Sequence, residues 1–204
     1  MIIPLKDSGA GGDAPAPAEP AWTGLTPAEK DARLLAVAGE VFVRRGLDAP
    51  MSDVACAAGI GVASIYRRFE SKQELLAALV VSRLETIAAA AETARAQPGD
   101  RFQALVAMVH SIVETQSADD FMGEARMLVA DHPHVVAALR RTTAEMEQVL
   151  ADARDEGRLR SDATTLDLRL LFAATRVAKR VEPDHWPRML ELMMDALEAP
   201  GPRP

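Results

Sequence analysis

Between residues 66 and 72 the chain sets Tyr66, Arg67, Arg68 and Lys72. A phenol and three cations this close suit one task, gripping an anion, and phosphate is the anion that arginine and lysine both take well. The residues that follow sharpen the point. Ser71 and Glu74 have the S-x-x-E spacing of a capping box, which predicts a helix whose first residue is Lys72. A helix N-terminus already carries about half a positive charge, so a lysine there is unfavourable unless an anion stands in front of it. A lysine merely solvated at a frayed end costs only about 0.3–1 kcal/mol, so Lys72 decides nothing alone. Joined to Tyr66 and Arg67, it points to phosphate.

Other chemistries find less support. Serines, histidines and acids occur, but none sits in a nucleophile or phosphate-loop context, so no catalytic residue is assigned and no enzyme is expected. The segment "DHPH", with His132 and His134, invites a metal reading, with His110 and His185 as extra ligands. No Cys-rich or H-E-x-x-H pattern supports it, and neither metal nor cofactor is expected. Cys56 reads as a small buried filler rather than a redox sensor.

The elements that must position the basic cluster are helical. Thr26, Pro27 and Glu29 start a helix that carries Leu34, Leu35, Ala38, Val41 and Phe42 on one face and ends at Gly46. Two very short helices follow, over about 51–57 and 62–68, joined by the tight "AAGIG" turn. A long helix runs from Lys72 to about Ala96, stopped by "PGD", and further helices are expected near 101–116, 119–130, 133–156, 165–180 and 184–198. Asp100 and the Thr164–Asp167 pair read as caps. No segment alternates as a strand, so the fold class is all-α. Residues 1–25, rich in Gly, Ala and Pro, read as a disordered tail, with Trp22 read as mobile in preference to docked on the domain.

Three helices, the second and third tiny, are the layout of a helix-turn-helix, whose last helix enters the DNA major groove. Ile65 and Phe69 should face inward, leaving Val62, Ala63, Tyr66 and Arg67 outside. The quoted runs "RLLAVAGEVFVRRG" and "SDVACAAGIGVASIYRRFESKQELLAAL" resemble the DNA-binding region of the TetR family of bacterial transcriptional regulators over roughly residues 30–80. The likeness lies at Ala38, Phe42, Gly46, Val54, Ala55, Ala58, Gly59, Ile65, Tyr66, Phe69, Lys72, Leu75 and Leu76. It implies a recognition helix from Val62 to Phe69. Val62 and Ala63 would face bases, able to read only thymine methyls and shape. Ser64, Tyr66 and Lys72 would meet phosphates, and Arg67 a guanine or a phosphate. Two positions depart from the family: Gly61 stands where a hydroxyl residue often opens the third helix, and Ala49-Pro50 where one often precedes the second. Ser52 is the candidate replacement for a phosphate contact there.

The resemblance further implies a homodimer on double-stranded DNA that releases it when a small molecule binds the body. The expected division is a tail (1–25), a DNA-binding head (26–72) and an effector-binding and dimerisation body (73–204). The head carries a net charge of +1 and the body −6, within a total of −7, which keeps the body away from phosphates. Candidate pocket residues are Phe102, Met108, Phe121, Met122, Met127, Leu128 and Phe172, the bulky side chains of that region. Candidate dimer residues are Leu166, Leu170, Ala174, Val177, Trp186, Leu190, Met193 and Leu197, whose stripes would form a four-helix bundle with a partner. No run of about 18 apolar residues could span a membrane, and no signal pattern opens the chain. The lone cysteine fits the cytoplasm. The rival readings are a helical ligand-binding or interaction protein with a purely structural helix-turn-helix, and a helical enzyme.

Overall fold

The structure is a computed structural model that describes Trp22, residues 24–115 and residues 121–200. Apart from Trp22, Gly24 and Leu25, the expected tail lies outside the described residues. Nine helices occur among the described residues: α1 (Pro27–Arg45), α2 (Met51–Ala57), α3 (Val62–Arg68), α4 (Lys72–Ala96), α5 (Arg101–Glu114), α6 (Phe121–Leu128), α7 (Pro133–Asp155), α8 (Thr165–Val181) and α9 (Trp186–Leu197). The fold is all-α, as the sequence predicts.

The caps explain most of the boundaries. At α1, the Thr26 hydroxyl accepts from the Glu29 N–H at 3.3 Å while the Glu29 carboxylate accepts from the Thr26 N–H at 2.7 Å. The same reciprocal pair opens α8, between Thr164 and Asp167. Asp100 caps α5 by accepting from the Gln103 N–H at 3.0 Å. At α4 the expected box is only half made. The Ser71 hydroxyl accepts from the Glu74 N–H at 3.2 Å, but the Glu74 carboxylate turns instead to His132 Nε2, also at 3.2 Å.

Two cores stack along α4. The first joins Leu34, Phe42, Val54, Ile65, Leu75 and Leu76 with Ala125, Val129 and Val135 from the second half of the chain. The second gathers Phe102, Leu105, Val109, Leu150, Leu168 and Leu190 around the far end of α4. Helix α4 packs most extensively on α7. Buried Thr142 of α7 places its hydroxyl 3.0 Å from the Leu84 carbonyl of α4, so even the polar group in this seam has a partner. Helix α4 is therefore one continuous rod of 25 residues whose first turns belong to the head core and whose last turns belong to the body core.

Trp22 corrects one expectation. Its indole N–H donates to the Ala58 carbonyl at 2.8 Å, and the Arg33 guanidinium lies 5.0 Å from its ring centroid. An indole pairs an apolar face with one directional donor, and here both are used, so Trp22 is docked on the head.

Candidate nucleic-acid interface and adjoining pocket

The turn between α2 and α3 follows from Gly59. At φ 66° it adopts the left-handed conformation that glycine accepts without steric cost, and it closes α2 with paired bonds: Ile60 N–H to Ala55 O at 3.0 Å and Gly59 N–H to Cys56 O at 3.0 Å. Ile60 then packs on the core and the chain re-enters a helix two residues later. Pro50 and Gly61 begin α2 and α3 without a side-chain cap, so both short helices rely on tertiary packing.

The packing orients α3 as its spacing predicts. Ile65 is fully buried and Phe69 half-buried, whereas Val62 and Tyr66 are 44% and 47% exposed, with Ala63 and Arg67 beside them. Arg67 donates to the Ser64 hydroxyl at 2.7 Å, tying two of the candidate contacts into one unit. Arg68 instead pairs with Asp31 and fastens α3 to α1. Lys72 is half-buried, its ammonium 5.9 Å from the centre of the Phe42 ring. Part of the cost of a lysine at a helix N-terminus is thus offset inside the molecule by the ring's negative face. On α2 the packed face is Met51, Val54 and Ala55, so Cys56 is exposed and not the buried filler expected.

Phe42 also touches a second site. Its ring centroid lies 6.5 Å from that of Phe121 on α6. Phe121 and Met122 line a cavity of about 490 Å³ between α4, α6, α8 and the end of α5, within the size range of small-molecule pockets. Phe172, Leu84 and Ile87 supply further apolar wall, and Leu166 and Leu170 stand at its α8 side. Four arginines line the same cavity: Arg83, Arg126, Arg169 and Arg176. Sequence reasoning missed all four. The available signal was their spacing, since Arg169 and Arg176 are seven apart on the helix bearing Leu166 and Leu170, and Arg83 falls between Val80 and Ile87.

Of the other candidate pocket residues, Phe102 and Met108 are buried in the second core, away from the cavity lining. Met127 and Leu128 lie on the solvent side of α6, at 72% and 57% exposure. Of the candidate dimer residues, Leu166, Leu170, Ala174 and Val177 form an exposed stripe on α8 that continues to Val181. On α9 the expected stripe turns inward: Leu190 has no exposed surface, and Trp186, Met193 and Leu197 pack against the body core. Leu190 therefore cannot meet a partner in this arrangement. Leu192 is the large exposed apolar residue on α9.

His132 and His134 stack with ring centroids 5.5 Å apart, and His132 is engaged by Glu74. Among the described residues no group of three or more His, Cys, Asp or Glu side chains could hold a metal ion, and no helix is long and apolar enough to cross a membrane.

A sequence profile described as "Bacterial regulatory proteins, tetR family" matches residues 34–79, which run from α1 through the turn and into α4. Solved structures agree over most of the chain. A TetR transcription regulatory protein from Mycobacterium vanbaalenii is 28% identical, with 82% of this chain and 94% of that one covered and a TM-score of 0.58. Residues 34–79 are a TetR-family DNA-binding region. Two further TetR-like folds extend the likeness. A TetR transcriptional regulator from Streptomyces coelicolor is 23% identical, covering 83% of this chain and 98% of that one, with a TM-score of 0.64. SmeT, the repressor of a multidrug efflux pump in Stenotrophomonas maltophilia, is 24% identical, covering 85% and 96%, with a TM-score of 0.59. No curated protein sequence matches the chain. The head is thus the helix-turn-helix of a TetR-family DNA-binding transcriptional regulator.

Proposed function

We propose that the chain is a ligand-responsive repressor that binds a palindromic operator as a homodimer and releases it when a small molecule enters the cavity beside α4. The observation that carries this reading is the uncovered face of α3, Val62, Ala63, Tyr66 and Arg67, set beside the N-terminus of α4 in a TetR-family head. In this reading Val62 and Ala63 read base edges. Ser64, Tyr66 and Lys72 hold phosphate, and Arg67 meets a guanine or a phosphate.

The α8 stripe supplies the dimer contact, because five apolar or small side chains at helical spacing are otherwise left in water. Two heads then address half-sites about 34 Å apart, one helical turn of DNA. The cavity couples to the head through Phe121 on Phe42 and through α4, which contributes Arg83 to the cavity and Lys72 to the head. A shift of a few Å at α4 misaligns one head with its half-site, which is how an occupied pocket lowers affinity for DNA. The proposed division is head (26–72) and body (73–204), with residues 75–84 of α4, α6 and the start of α7 packing into the head core.

The test is an electrophoretic mobility assay with DNA flanking the coding gene. A complex that weakens steeply with salt supports the reading. Absence of any complex, with the protein folded and dimeric, favours instead a helical ligand-binding protein whose helix-turn-helix is structural.

A further inference from the structure

We propose that the cavity takes an amphipathic anion, a carboxylate or phosphate head held by Arg83 and Arg126 with an apolar body against Ile87, Phe121, Met122 and Phe172; this names the effector class of the pocket and rests on the effector reading above. The lining contains four guanidinium groups and, among the described residues, no carboxylate. Arg83, Arg126 and Arg169 lend the lining positive charge in a chain whose net charge is −7. Such a concentration against the global sign is a specific arrangement, because clefts with apolar walls focus the field of the charges that line them.

Arg83 donates to the Ile112 carbonyl at 3.1 Å and to the Thr115 hydroxyl at 3.3 Å, both neutral acceptors at the end of α5. Burial pushes its pKa down, so its charge is held at a cost that a neighbouring anion would relieve. Arg126 is half-buried and has no ion-pair partner among the described residues. A guanidinium presents a planar fork of N–H donors that matches a carboxylate or phosphate in two parallel bonds. Apart from Thr115, whose hydroxyl is already bonded to Arg83 and to the Ser111 carbonyl, the rest of the wall is apolar and suits an apolar body. A neutral apolar ligand would strip water from the guanidinium groups and return no hydrogen bond. A cationic ligand would meet the like charges of Arg83 and Arg126.

The experiment uses the full chain and four ten-carbon probes below their micellar concentrations: decanoate, decyl phosphate, decanol and decyltrimethylammonium. Binding is read by calorimetry, and release of DNA by fluorescence anisotropy in the same titration. Decanoate or decyl phosphate, whichever head fits better, is expected to bind at least about tenfold more tightly than decanol, with the cation weaker still. Arg126→Gln is expected to lower anion affinity about five- to tenfold and leave decanol unchanged. Arg83→Gln should do the same but also loosens the end of α5, which is why Arg126→Gln is the deciding variant. Equal binding of decanol and the anions overturns the proposal. Preference for the cation, or binding of none of the four, overturns it too. An anion that binds with the expected selectivity yet leaves the DNA complex intact supports the pocket chemistry and removes the effector reading. A neutral or cationic probe that binds better and releases DNA does the reverse.

Discussion

The rings of Phe42 and Phe121 meet with centroids 6.5 Å apart and planes inclined at 37°. One belongs to α1 and lies in the head core beneath the Lys72 ammonium; the other belongs to α6 and lines the cavity. A ligand that pushes on Phe121 therefore pushes on the side chain that supports the proposed phosphate-binding lysine. Phe121→Ala is expected to leave DNA affinity without ligand within about threefold of the parent, and to reduce ligand-induced release by a larger factor. Equal release in parent and variant would show that the signal runs through α4 alone.

The exposed face of α3 yields a prediction about specificity. Val62 has no hydrogen-bonding group and is 44% exposed. Val62→Gln should change which bases are preferred at one or two positions of each half-site, with discrimination of about 1–3 kcal/mol, while non-specific affinity stays the same. Competition against a randomised half-site reads this directly. A uniform loss on every sequence would contradict a base-facing role.

Much of this was legible in the sequence. Helix α4 begins at Lys72 and ends at Ala96 as its serine cap and "PGD" stop require, because caps act locally and have few alternatives. What failed was set by tertiary context. Glu74 left its half of the capping box because His132, 58 residues away, offered a partner. On α9 the run "MLELMM" is apolar on several faces, so periodicity could not say which face is the core; Leu190 and Met194 turned inward and Leu192 outward. The pocket's chemistry was hidden because arginines read as solvated surface until α4, α6 and α8 come together around them.

The α8 stripe separates dimerisation from folding. Val177 is 48% exposed and outside the cavity lining, so Val177→Glu should leave the protomer's stability within about 0.5 kcal/mol and shift the protein to monomer. Leu190→Ala, by contrast, should cost about 2–5 kcal/mol of stability, since it empties a fully buried site. Sedimentation and chemical denaturation of the two variants distinguish the roles. A dimer that survives Val177→Glu would place the interface elsewhere.

Acid sensitivity should arise in part at the caps. The Thr164 hydroxyl, and then its backbone N–H, hold the Asp167 carboxyl below its ordinary range, so the carboxyl ionises more easily folded than unfolded. Its contribution is complete above the unfolded value of about 3.9 and is lost as pH falls through the lower folded value. Thr164→Ala should cost about 1 kcal/mol at neutral pH, and the variant should lose less stability than the parent on acidification below about pH 4. Parallel pH–stability curves for the two proteins would exclude Asp167 as a source of the acid limb.

The central claim is that the Tyr66 and Lys72 region holds the DNA backbone. It is tested most directly by the salt dependence of operator affinity in the parent, Tyr66→Ala and Lys72→Ala, each with its dimer content measured. We expect a steep salt dependence in the parent and weaker binding in both variants. For Lys72→Ala the slope should be shallower by about one unit per protomer, at unchanged dimerisation. Parent-like affinity and slope in both variants would contradict the account.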